Sequence, residues 1–420
     1  MQHTVREITL DNGAKGLLLH VPGVDVVRML VEFRAGFDLG DWGKYELPHV
    51  TEHLMFTNQS YPEPNQFSRE VEKNGAFCNA TTSDTSLAYE YECATFEAER
   101  IAGLIGIQIT EPTFPARELT SELNNVADEL DNDISDPGPA VNNNLQAAAY
   151  DMPDFRRRRD QLSAITEDDV REWYRQTHTS DNMRFLVAGD VDFDTEVLPG
   201  LNVDLPRDER LAVPYVASTK LEEPVVEYRD MPQIYYRFTS RLSQSYSYRE
   251  LIAARLMSDA LSAGFSATLF GEARDRGLVY DLAMRVGRDT HTTEWNFGGP
   301  VSPAHADTYF QLAADKIRQA QNGDISGEQF DRMKRLLRGN RARKYQTPGS
   351  LLSYYDMFLE DDHYEAFEEF YRLLDDITLD EAARAFAGLF QENVWGASFL
   401  GNVDETAAAR YRDIVSPLWD

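Results

Sequence analysis

Ile165-Thr166-Glu167-Asp168-Asp169 opens a segment that runs to Phe185-Leu186-Val187-Ala188-Gly189-Asp190-Val191-Asp192. Ile377-Thr378-Leu379-Asp380-Glu381 opens another, which ends Ser398-Phe399-Leu400-Gly401-Asn402-Val403-Asp404. The two superpose without a gap at an offset of 212, close to half of the 420 residues. Each begins Thr-x-x-acid (Thr166/Asp169, Thr378/Glu381), a pattern in which hydroxyl and carboxylate satisfy helix N-terminal amides reciprocally. Each continues as a helix and becomes an apolar strand that stops at Gly-[Asp/Asn]-Val-Asp. Unrelated helix–strand units often share a cap; shared start, end and spacing together point to an internal duplication. The chain therefore reads as two copies of one design, residues 1–205 and 225–420, joined by a charged, proline-containing linker at 206–224. Nearer the start, residues 5–10, 16–20 and 26–33 read as an antiparallel strand set, with Asp11-Asn12-Gly13 as the turn between the first two.

Composition narrows the function classes. Seventy-one acidic residues against 41 basic ones leave a net charge of −30, yet the hydrophobic fraction of 42% is that of a globular chain. Disorder needs low hydrophobicity as well as high charge, so it is excluded for the bulk. A nucleic-acid coat is disfavoured, because phosphate binding wants a basic footprint. Only seven of the basic residues are lysines. Many carboxylates with few lysines suit a protein bathed in concentrated salt, where self-repulsion is screened. The rival reading is an acidic surface that attracts a basic partner. No apolar run follows the opening residues, and no stretch of 18 apolar residues occurs, so neither a signal peptide nor a membrane span is expected. Cys78 and Cys93 form no disulfide framework. These features lead to the expectation of a cytoplasmic protein, in the high-salt cytoplasm of a halophile.

One cluster carries chemistry. Pro48-His49-Val50-Thr51-Glu52-His53 contains H-x-x-E-H. On a helix, His49 and His53 project from one face a turn apart and can grip one divalent zinc, with Glu52 beside the metal as a general base. Chance gives on the order of 0.03 such patterns in a chain of this composition, so the match is informative. A catalytic zinc wants a third protein ligand and one open position. The helical segment 117–131 offers Glu118, Glu122, Asp128 and Glu129, of which Glu122 and Glu129 are seven apart and share a face. The remaining histidines have no ligand spacing. The run Arg156–Arg159 reads as neutralising nearby carboxylates, and the basic stretch 332–344 as pairing with the acidic surface.

These motifs resemble the inverted-motif zinc peptidases of the pitrilysin/insulinase family, especially small members similar to mitochondrial processing peptidase. In that family HxxEH is followed roughly 75 residues later by two glutamates with six residues between them, and Glu122-Leu-Asn-Asn-Val-Ala-Asp-Glu129 matches. The resemblance implies Glu129 as third zinc ligand and Glu122 as a carboxylate orienting His49 or His53, with one Zn2+ per chain. Gly75-Ala76-Phe77-Cys78-Asn79-Ala80-Thr81-Thr82 resembles the family strand that receives substrate as an added β-strand, which implies Asn79 and Ala80 in substrate binding. In the second copy, 212 residues beyond the histidine motif stands Leu261-Ser262-Ala263-Gly264-Phe265, with no metal donor. There Gly277-Leu278-Val279-Tyr280 resembles the end of the family's Arg-x6-Tyr element, but Ala273 holds the arginine position and Arg274 is shifted by one. The resemblance carries Tyr280 to the oxyanion and substrate wall; on a helix one residue is about 100°, so Arg274 fits only if the turn differs locally.

The fold implied is α+β: two homologous αβ domains, each a mostly antiparallel sheet covered by helices, the second degenerate. The activity implied is zinc-dependent endopeptidase action on extended peptides inside a closed chamber. A two-domain chain is half of the family's chamber, so a homodimer or a heterodimer with a related chain is expected, with neither nucleic acid nor membrane as partner. The alternative is a catalytically silent or partner-dependent assembly subunit of the same family.

Overall fold

The duplicated segments become matching elements in the computed structural model, which describes residues 1–420. Thr166 caps the helix Glu167–Thr177 with both halves of the capping box in place. Thr378 caps Leu379–Gly388 through the Glu381 amide only, because the Glu381 carboxylate is held by Arg249 at 2.9 Å instead. The strands that follow, Met183–Gly189 and Trp395–Gly401, are offset by 212 at both ends and buried at every residue.

Two compact units result. The first comprises Met1–Leu130, Arg156–Pro214 and Ala342–Glu365; the second comprises Asp131–Phe155, Tyr215–Arg341 and Ala366–Asp420. The first holds β1 (Thr4–Thr9), β2 (Lys15–His20), β3 (Val26–Phe33), β4 (Phe77–Thr82), β5 (Leu87–Ala94) and β6 (Met183–Gly189), in the order β1-β2-β6-β3-β5-β4. The second holds β7 (Val225–Tyr228), β8 (Ile234–Leu242), β9 (Ala283–Arg288), β10 (Thr293–Val301) and β11 (Trp395–Gly401), in the order β7-β11-β8-β10-β9. Apart from β1, which has no counterpart, the second order repeats the first. Both sheets are mixed and covered by helices: β6 runs parallel to β2 and β11 parallel to β7, while the other pairs are antiparallel.

The early strand set needs a correction. β1 and β2 pair antiparallel across the expected turn, where Gly13, at φ +101°, donates its amide to the Leu10 carbonyl at 2.9 Å. β2 and β3 are not neighbours, because β6 lies between them. β6 is buried on both faces and so takes an interior position with a partner on each side. β3 alternates instead, with Val27, Met29, Val31 and Phe33 turned into the core.

Neither unit is one continuous piece of chain. Helix Pro137–Tyr150 packs over β11, β8 and β7 of the second unit, and helix Pro348–Leu352 packs over β3 and β6 of the first. The two excursions sit at corresponding places in the two copies. Fully buried aromatics such as Phe238, Trp295, Phe297 and Phe310 in the second core each contribute about 1.5–3 kcal/mol by leaving water. β4 is an edge strand, bonded only to β5, and it leaves a free backbone edge in the first unit.

Candidate metal centre

The helix Leu47–Leu54 has Pro48 in its first turn and buries Leu47, Val50, Thr51 and Leu54. That stripe leaves His49 and His53 on the opposite side, their rings 4.8 Å apart and nearly perpendicular. Facing them is the helix Ala116–Ser135, held by the buried Leu119, Val126 and Leu130. Glu122 and Glu129 stand three residues beyond Leu119 and Val126, about 60° round the same helix, and so emerge beside its buried seam. The Glu129 carboxylate reaches both rings: Oε2 lies 3.3 Å from His49 Nε2 and Oε1 lies 3.8 Å from His53 Nε2.

The far ring nitrogens are each engaged by a carboxylate. His53 Nδ1 donates to Glu122 at 2.9 Å, and the Asn125 amide donates to the same Glu122 oxygen. Glu122 therefore orients His53, not His49. His49 Nδ1 donates to Glu46 at 2.9 Å. Glu46 is a residue that sequence reasoning missed. It is 2% exposed, and its second oxygen lies 3.8 Å from Nη1 of the buried Arg158. Arg158 in turn lies 4.1 Å from the centre of the Tyr45 ring. The one legible signal was an acid three residues before His49, a helical turn from it.

Electrostatics follow from this geometry. Burial opposes a charged His49, but hydrogen bonds to Glu129 and Glu46 and the nearby Glu52 charge outweigh it and raise its pKa to about 10. The Glu122 carboxylate is held below its ordinary range by the hydrogen bond from His53, and Glu129 by that from His49. Without a metal, a proton shared between imidazole and carboxylates occupies the place of a cation.

Glu52 is buried beside the centre and accepts a 2.6 Å hydrogen bond from the Thr82 hydroxyl. Thr82 ends β4, so the same edge strand that offers its backbone also fixes the carboxylate. A cleft of about 660 Å³ lies over these groups, lined by His49, Glu52, His53, Glu129, Asn79 and Ala80 among others, with no lysine or arginine.

Arg274 and Tyr280 belong to the second unit, and there the structure brings them together. Helix Phe270–Asp275 ends in a Schellman turn, with Leu278 N–H on the Ala273 carbonyl at 2.8 Å and Gly277 N–H on Arg274 at 2.9 Å. Gly277 takes φ +66°, which only glycine adopts cheaply. The chain reverses so that the Arg274 guanidinium lies 4.5 Å from the Tyr280 ring centre and donates to the Tyr280 carbonyl at 3.1 Å.

Other singled-out residues are structural. His178 stacks 4.3 Å from Phe33, bonds Tyr89 and Thr177, and is depressed by burial to about 3. In the basic stretch, Arg338 pairs with Asp375, and Arg341 lies 4.1 Å from the Phe370 ring centre. Both cysteines are free, and no helix is long and apolar enough to cross a membrane.

The donor set fits zinc. His49, His53 and Glu129 offer two imidazole nitrogens and a carboxylate oxygen within 4.8 Å of one another. Bonds of about 2.0–2.1 Å to a tetrahedral zinc place its ligand atoms about 3.4 Å apart, near the separations already present. Nδ1 engaged by a carboxylate, with Nε2 turned toward the third donor, is the arrangement in which histidines ligate with support from behind.

Comparison with known proteins agrees with this chemistry. Residues 44–158 match the family described as Insulinase (Peptidase family M16), and residues 164–337 match the Peptidase M16 inactive domain. An uncharacterised zinc protease from Mycobacterium leprae is 22% identical over 405 residues, 94% of this chain and 91% of that protein. A protease from Helicobacter pylori has the same fold with a TM-score of 0.84 at 17% identity, covering 96% of this chain and 100% of that one. A chain of Complex III2 from Candida albicans superposes with a TM-score of 0.81 at 13% identity, covering 98% and 100%.

Proposed function

The chain belongs to the pitrilysin/insulinase family of peptidases, and from that premise we propose that it is a zinc-dependent endopeptidase acting on extended peptides. The observation that carries the reading is the convergence of His49, His53 and Glu129 with Glu52 beside them. His49, His53 and Glu129 would hold one zinc, with Glu46 and Glu122 orienting the two histidines. Zinc, when bound, would supply a Lewis acid that polarises the scissile carbonyl and acidifies water.

The chain's own residues do the rest. The open edge of β4, with Asn79 and Ala80, takes the substrate backbone as an added strand. Glu52, fixed by Thr82, takes a proton from the attacking water and returns it to the leaving amine. Tyr280 and Arg274 form the wall that donates to the developing oxyanion and the substrate backbone. The first compact unit acts as the catalytic half and the second, which lacks the metal donors, as the supporting half. A second copy or a related chain completes a chamber that admits unfolded peptides. The acidic coat suits a halophile cytoplasm, where salt screens it.

A second reading is a silent or partner-dependent subunit. It is favoured by the match of residues 164–337 to an inactive domain and by the likeness to a Complex III2 chain. The intact donor set and the buried, hydrogen-bonded Glu52 favour the enzyme. Zinc stoichiometry and cleavage of a quenched peptide library in high salt separate the two: zinc without cleavage, alone or with any related chain, overturns the peptidase reading.

A further inference from the structure

Tyr280 stands 75% exposed between buried neighbours, Leu278 and Val279 before it and Leu282 after it. A ring so placed keeps its position only through the backbone that carries it. On one side that backbone is tied by Arg274, which donates to the Tyr280 carbonyl and lies against the ring. On the other side Asp281 and Leu282 lead into β9, and there the main chain rests on a glycine of the neighbouring strand.

β10 pairs with β9 only as far as Gly298, opposite Ala283, but with β8 through Val301. Gly299 is therefore the first residue of β10 beyond the β9 ladder, where the chain entering β9 passes. A Cβ on Gly299 would lie 3.0 Å from the Asp281 carbonyl oxygen and 3.1 Å from the Leu282 Cα. Both are main-chain atoms of the Tyr280 loop, so neither can swing aside as the end of a side chain would. A methyl group has no room beneath either. The Tyr236 hydroxyl, opposite Gly299 in the register, stands 3.6 Å from the same point. It is bonded at 2.5 Å to the hydroxyl of Tyr309, and both tyrosines are buried in the core.

Glycine inside a strand weakens it and commonly marks a place where another backbone comes close. The same sheet holds a contrasting case. Gly287 lies within β9, and a Cβ there would meet nothing within 4 Å. Gly299 differs both in this crowding and in its φ of +156°, a conformation that strains an L side chain.

We infer that Gly299 is a positioning residue for Tyr280: its missing side chain lets the Asp281–Leu282 backbone lie close on β10 and so fixes the ring at the oxyanion wall. The inference rests on the peptidase reading for what Tyr280 does, but not for where Tyr280 is held. A side chain at 299 would force contacts of 3.0 and 3.1 Å to open toward about 3.5–4.0 Å. The loop moves, because the tyrosine pair beneath is closed. A misplacement of about 1 Å at a reacting group costs about a hundredfold in rate, so roughly half of that implies about tenfold in kcat. The edge of β4 belongs to the other unit, so KM should change far less.

The test uses zinc-loaded full-length protein and one quenched peptide. Gly299→Ala is expected to lower kcat about tenfold with KM and zinc content little changed, whereas Gly287→Ala should leave kcat as it is. In a Tyr280→Phe background, Gly299→Ala should cost less than about twofold, because the hydroxyl it misplaces is gone. Equal losses in both backgrounds would assign the glycine a general structural role and overturn the inference, as would an unchanged kcat in folded Gly299→Ala. Fluorotyrosine placed at position 280 reports the ring without any cleavage. Its fluorine resonance should move in Gly299→Ala but not in Gly287→Ala, and an unmoved resonance overturns the inference. Should Gly299→Ala not fold, chymotrypsin digestion of the parent decides: a seated loop resists cleavage after Tyr280, and rapid clipping there in folded protein overturns the inference. Failure of the peptidase reading shows separately, as absence of peptide cleavage by the parent, and leaves the fluorine and digestion readouts intact.

Discussion

Replacing Glu46 by glutamine tests the least anticipated part of the metal centre. Glu46 is 2% exposed, accepts from His49 Nδ1 at 2.9 Å, and places its other oxygen 3.8 Å from Arg158. Glutamine can still accept the Nδ1 hydrogen, but as a neutral group it no longer strengthens the imidazole as a donor to a cation. Loss of such a supporting carboxylate costs 10–100-fold in metal affinity, about 1.4–2.7 kcal/mol. A second effect acts on the fold. Arg158 would lose the Glu46 charge beside it, a loss that reaches about 3–5 kcal/mol for tight pairs. Here the 3.8 Å separation and the Tyr45 ring beneath the guanidinium reduce that to about 1–3 kcal/mol. Competition titration with a chromogenic chelator measures the first effect, and thermal unfolding of metal-free protein the second. The double variant Glu46→Gln/Arg158→Met should recover stability without recovering zinc affinity. Unchanged zinc affinity in Glu46→Gln would refute the claim that this carboxylate supports His49.

Other outcomes follow from the same geometry. Glu129→Gln removes the third ligand, and zinc content after dialysis should fall far below one per chain; full retention places the ligand elsewhere. Thr82→Val removes the hydrogen bond to Glu52 and should lower kcat about tenfold with KM and zinc content little changed, whereas an unaltered kcat would show that Glu52 needs no such hold. In metal-free protein the His49 pKa lies above its unfolded value, at about 10. Its contribution is then fully present below about pH 6.5 and lost as pH rises through 10, so the thermal midpoint of apo protein should decline over that interval. Zinc-loaded protein should lack this decline, and zinc affinity should rise with pH as the shared proton leaves. Thr166→Ala, which dismantles a full capping box, should cost about 1–2 kcal/mol in chemical denaturation, against about 1 kcal/mol or less for Thr378→Ala.

Local pattern carried much of this into the sequence. Thr166 and Thr378 announced two helices, and the apolar runs after them two interior strands, because caps and hydrophobic runs act within a few residues. The His49–His53 pair and the Glu122–Glu129 spacing were legible for the same reason, since helical periodicity alone brings each pair to one face. Tertiary choices were not legible. Nothing local to residues 183–189 says that they insert between β2 and β3, or that residues 131–155 pack with the second sheet and 342–365 with the first. Glu46 looked like any other acid in an acidic chain until its burial against Arg158 set it apart. The swing of Arg274 onto Tyr280 depends on Gly277 reversing the chain, a detail that helical counting by 100° steps misplaces.

The central claim is that Glu52 moves the proton for a zinc held by His49, His53 and Glu129. Zinc-loaded parent and Glu52→Gln proteins, assayed on one quenched peptide in high salt, test it most directly. The account predicts one zinc per chain in both, cleavage by the parent, and a loss of about 10²–10⁴-fold in the variant. Equal cleavage by both proteins would contradict it.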